Sequence, residues 1–63
     1  MFKFVSKGDN YDNESALFFN GQKILEVFVS VRQDGEIDIQ VEDGNGRLMR
    51  EWVDFAEDYE RLN

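Results

Sequence analysis

Cysteine, histidine and proline are all absent from the 63 residues. Without cysteine, no disulfide framework can support the fold, and the chain fits a reducing compartment such as the cytoplasm. Losing histidine as well removes the commonest general base, the best nucleophile and the usual metal ligands. Ser6, Ser15 and Ser30 therefore have no histidine to activate them. There is no proline-rich linker, repeat or low-complexity stretch, so residues 1–63 read as a single domain.

Long apolar runs are missing too. No window approaches the roughly 18 apolar residues of a membrane span. The N-terminal stretch MFKFVSKGDNYDNE has neither an apolar core nor a small-residue cleavage site, so it does not read as a signal peptide. These absences give an expectation of a soluble cytoplasmic protein with no membrane partner.

A domain of this size buries only about 60% of the surface its unfolded chain exposes. Small domains supplement such a core with disulfides, metals or self-association. Self-association, as a homodimer, is the supplement expected here.

Acidic residues are abundant: 14 Asp and Glu stand against 7 Lys and Arg, for a net charge of −7. Residues 1–33 carry four acids and four bases, whereas residues 34–63 carry ten acids and only Arg47, Arg50 and Arg61. The excess charge belongs to the second half, which suggests an electrostatic face. An aromatic content of 14% argues for a folded chain and against an acidic tail.

Alternation gives the strands. Phe2–Val5 reads as a short first strand, residues 6–13 as a loop, and Ser15–Phe19 as a second strand closed by an Asn20-Gly21 hairpin turn. Lys23–Arg32 sets Leu25, Val27, Val29 and Val31 on one face, and Glu36–Glu42 sets Ile37, Ile39 and Val41 against Glu36, Asp38 and Glu42. A three-residue loop, Gln33-Asp34-Gly35, keeps these faces in phase. It pairs Val31 with Ile37, Val29 with Ile39, Val27 with Val41 and Arg32 with Glu36, and leaves Gly35 for a left-handed bulge.

After the turn Asp43-Gly44-Asn45-Gly46, the residues Leu48, Trp52, Phe55, Tyr59 and Leu62 recur at helical spacing. They predict an amphipathic helix over about 48–61, although its first turn also fits a short strand against 37–42. Arg47 and Arg50 near the start of that helix, with Glu57, Asp58 and Glu60 towards its end, oppose the helix dipole. The expected fold is α+β: about four antiparallel strands with one C-terminal helix packed on one face. The other face, with Leu17, Phe19, Ile24 and Phe28, is the expected dimer interface.

No catalytic or cofactor motif emerges. There is no phosphate-binding glycine loop. Counted from Asp9, an EF-hand pattern fails at Tyr11, Glu14 and Asn20. A glycosidase-like carboxylate pair needs a cleft for which so small a domain has little room. The expectation is a non-enzymatic protein without metal or cofactor.

The carboxylates remain. Glu36 and Asp38 project from one side of their strand about 6.7 Å apart, of the order of the distance between successive phosphates in a nucleic-acid strand, and Glu42 continues the row past Gln40. With these rows (Glu36-Asp38-Glu42 and Glu51-Asp54-Asp58), the chain resembles the small acidic DNA-mimic inhibitors that bacteriophages make to disable host or defence proteins. Size, the lack of Cys and His, and a small sheet with a helix are the other shared features. The resemblance covers the whole chain without a specific motif. It implies a basic nucleic-acid-binding protein as partner, with no direct binding of nucleic acid. Candidate targets are the histone-like nucleoid protein HU, uracil-DNA glycosylase, a Cas nuclease or RNA polymerase. HU is favoured, since a dimer with two acidic faces suits a two-armed basic dimer. Glu36, Asp38, Glu42, Asp43, Glu51, Asp54, Glu57 and Asp58 are the expected contact residues. The alternative is a small structural or regulatory subunit that docks through its apolar sheet face, with the acids serving solubility.

Overall fold

The computed structural model describes residues 1–56. They form five strands: β1 (Phe2–Gly8), β2 (Asp12–Phe19), β3 (Gln22–Val31), β4 (Glu36–Asp43) and β5 (Leu48–Phe55). Each pairs antiparallel with its neighbour in chain order, giving one open meander β1-β2-β3-β4-β5.

Turn chemistry sets the hairpins. Asn20 and Gly21 have φ of 50° and 83°, the paired left-handed conformation that a two-residue hairpin requires. Gly35, at φ 89°, takes the bulge position, while its amide donates to the Arg32 carbonyl at 3.1 Å. The resulting β3–β4 register pairs Val31 with Ile37, Val29 with Ile39 and Val27 with Val41, as the alternation predicts. Arg32 meets Glu36 through both a backbone hydrogen bond and a 3.2 Å ion pair. β1 and β2 run well into the stretch expected to be a loop, pairing Ser6 with Ser15, Lys7 with Glu14 and Gly8 with Asn13. The connection shrinks to a turn in which the Asp9 carboxylate accepts from the Tyr11 and Asp12 amides, both at 2.8 Å.

The α+β expectation is corrected by β5. Residues 48–55, expected to open a helix, are a strand paired along β4, with Ile39 opposite Trp52 and Gln40 opposite Glu51. Among the described residues the sheet is all-β, with no helix. The helical stripe and the strand alternation overlap in this segment. The open ladder edge of β4 decides between them, because a strand there satisfies a row of backbone donors and acceptors. The charge order that opposes a helix dipole is no anomaly in a strand. The remainder of the expected helix, with Tyr59 and Leu62, lies outside the described residues.

Because side chains alternate and cross-strand partners share a face, the register assigns each residue a side. One face carries Phe4, Leu17, Leu25, Val27, Val29, Val31, Ile37, Ile39, Val41 and Trp52. The opposite face carries Lys3, Lys7, Glu14, Glu26, Glu36, Asp38, Glu42 and Glu51, with Val5, Phe18, Phe28, Val53 and Phe55 among them. Nothing is layered over either face among the described residues. The described residues measure 39 × 23 × 14 Å, and no hydrophobic side chain among them is buried.

Candidate acidic interface

β4 and β5 build the acidic strip. Glu36, Asp38 and Glu42 descend one side of β4 at alternate positions, interrupted by Gln40. Glu51 of β5 stands directly across from Gln40, whose amide nitrogen donates to the Glu51 carboxylate at 2.7 Å. This leaves Glu51 diagonal to Asp38. On the β3 side, Glu42 faces Glu26 across the ladder. Like charges are thus placed side by side on a face about 23 Å wide.

Asp38 records the resulting strain in its ionisation. Its Oδ1 is buried with no hydrogen-bond donor, and its pKa lies above the ordinary value because burial strips water from the carboxylate and Glu51 repels its charge. A proton shared by the two would let one carboxyl donate to the other.

The first half of the chain adds acids that the charge count did not single out. Glu14 and Glu26 lie on this same face, as does Asp12, whose carboxylate accepts from the Ser30 hydroxyl at 2.8 Å. Three lysines accompany them. Lys7 pairs with Glu14 at 3.5 Å and Lys23 with Glu26 at 2.9 Å. An extra residue at Ile24, where the β2–β3 register shifts, brings Lys23 to the Glu26 side of the strand. The hydrogen bond from Lys23, followed by one from Glu14, holds the Glu26 carboxyl below its usual range; the Lys23 ammonium is raised by the same Glu26 contact. The face is therefore zoned. Paired charges of both signs occupy β1–β3, and uncompensated carboxylates occupy β4 and β5, with Glu36 tied to Arg32 at the end. A depression of about 350 Å³ opens at the zoned end, beside Lys7, Glu14, Phe28 and Ser30.

The eight expected contact residues separate. Glu36, Asp38, Glu42 and Glu51 share the charged face. Asp43 pairs with Leu25 and Asp54 with Ile37, on the apolar side. Asp43 also serves its turn, accepting from the Asn45 and Arg47 amides at 2.9 and 3.0 Å. Asp54 accepts from the Phe55 amide at 2.8 Å. Glu57 and Asp58 lie outside the described residues. The four residues of the expected dimer interface are also divided. Leu17 joins the apolar face opposite Leu25, Phe28 sits on the charged face opposite Glu14, and Ile24 occupies the bulge. Phe19 packs its ring 4.9 Å from that of Phe2 at the β1 edge. Comparison with known proteins finds no matching family model, no matching curated protein and no matching solved structure.

Proposed function

We propose that the protein binds the basic nucleic-acid-gripping surface of another protein through the strip Glu36, Asp38, Glu42 and Glu51, blocking that surface competitively as a DNA mimic. The observation that carries this reading is the placement of the four carboxylates on two adjacent strands of one rigid face. There Glu36 and Asp38 stand about 6.7 Å apart, Glu42 continues the row two steps further on, and Glu51 lies across from the intervening Gln40, so the strip presents a phosphate-like field. Such a surface steers a cationic partner at long range and loses its hold as salt rises.

The test uses the nucleoid protein HU, the favoured target, with fluorescently labelled duplex DNA. At low salt the native protein displaces the DNA, and added salt weakens the displacement steeply. Combining Glu36→Gln, Asp38→Asn, Glu42→Gln and Glu51→Gln raises the concentration needed by about tenfold or more, with an unchanged far-ultraviolet spectrum. Displacement by the folded variant at native strength rejects the reading. A second reading is a structural or regulatory subunit that docks through the apolar face. It is favoured by the lack of any buried hydrophobic side chain among the described residues, and its binding would be nearly indifferent to salt.

A further inference from the structure

We infer that the apolar face of the sheet is covered by a second copy of the same chain, so that the working form is a two-sheet sandwich with both acidic faces outward. The sheet alone is a single layer, 14 Å deep, in which no hydrophobic side chain is buried. Sandwich domains gain their core by packing two such faces about 10 Å apart. The strand β5 occupies the segment that would otherwise supply a covering helix, and it adds Trp52 to the face still to be covered.

Area fits the occupant. The extents of 39 × 23 Å bound each face at about 900 Å² of projected area, polar border included, which is room enough for the ~800 Å² per partner of a standard stable interface. Its composition fits as well. The centre, along Val29, Ile39 and Trp52, is apolar, and the Arg50 guanidinium lies 4.7 Å from the Trp52 ring centroid. Trp and Arg are the anchors that such interfaces favour. Polar groups border this area, with the Ser15 hydroxyl donating to the Asn13 amide oxygen at 2.9 Å.

Charge selects a second copy and fixes which face it meets. The apolar face carries Arg50 and Asp54, of opposite sign on the same strand, and a further acid, Asp43, only at its edge, where the carboxylate is held by the Asn45 and Arg47 amides. Two such faces therefore meet without a surplus like charge at their centre. Two charged faces would set carboxylate strip against carboxylate strip. Edge-to-edge pairing through β1 or β5 would extend the sheet and leave the apolar face as bare as before.

The experiment needs only the native chain at first. Sedimentation velocity across about 1–300 µM at moderate salt is expected to give the dimer mass, dissociating on dilution. The urea midpoint is expected to rise with protein concentration, as linkage to association requires. Ile39→Asp should shift the protein to monomer or unfold it, whereas Val5→Asp, on the charged face, should leave the dimer intact. A monomer mass throughout, with a midpoint independent of concentration, overturns the inference. So does a monomer that gains mass only on phosphatidylcholine vesicles, since that assigns the face to a lipid surface. These readouts do not involve HU, so the sandwich and the DNA-mimic reading fail separately.

Discussion

Truncating Ile39 to alanine measures the sandwich most directly. Ile39 lies in the middle of the apolar face, between Val29 on β3 and Trp52 on β5. The change removes three carbons, each worth about 0.8 kcal/mol when fully buried, or ~2.4 kcal/mol per copy. A two-fold interface contains the site twice. Because the isolated sheet already half-buries this side chain, only about half of that is at stake in association. The loss is then ~2.4 kcal/mol per dimer, and at about 1.4 kcal/mol per decade the dissociation constant should rise by about one and a half decades. The other half is lost from the folded monomer itself and is read separately in its urea midpoint. Fluorescence-detected sedimentation on labelled native and variant chains, diluted to nanomolar levels, reads the shift. A change below about tenfold, with the far-ultraviolet spectrum intact, would refute the claim that Ile39 sits at a buried centre.

Two glycine substitutions separate lack of space from backbone strain. A Cβ on Gly44 would overlap the Lys23 carbonyl oxygen, so Gly44→Ala should part the end of the β3–β4 hairpin and cost about 1–3 kcal/mol by urea unfolding. Gly21 has open space around it but a φ of 83°, so Gly21→Ala should cost only the left-handed strain, about 1–2 kcal/mol. Asp38→Asn should raise the melting temperature at pH 7. The raised pKa means that this carboxyl favours the fold when protonated, a contribution fully present below the ordinary value of 3.8 and lost as pH rises through the folded value. The advantage of asparagine should therefore vanish in melts below that pH; an advantage unchanged down to pH 3 would contradict the assignment.

The parts of the fold that could be read in advance are those where one face alternates strictly. The Val27-Val29-Val31 and Ile37-Ile39-Val41 rows admit only one in-phase pairing, and Gly35 supplies the conformation that pairing needs. The β1–β2 pairing was hidden because its polar half, Ser6 to Gly8 against Asn13 to Ser15, has turn-like composition. The strands are nevertheless joined there by a Ser15–Ser6 hydroxyl contact of 3.1 Å and the Lys7–Glu14 pair. No local signal in the sequence reveals that pairing.

The fifth strand carries the most consequence for the site. A separation of three residues lies on one side of a helix and on opposite sides of a strand. Read as a helix, Glu51 and Asp54 form a single solvent-facing row. Paired with β4, they part: Glu51 joins Asp38 on the acidic face, while Asp54 goes to the apolar face with Trp52 and Arg50. The position of Arg50, unfavourable at a helix start and free of penalty in a strand, is the local sign of the correct period. The same change of period both concentrates carboxylates beside β4 and takes residues 48–55 out of the helix expected to cover Val29 and Ile39. Acidic strip and uncovered apolar face thus have one origin, and a chain that gains the first by this route requires a cover for the second.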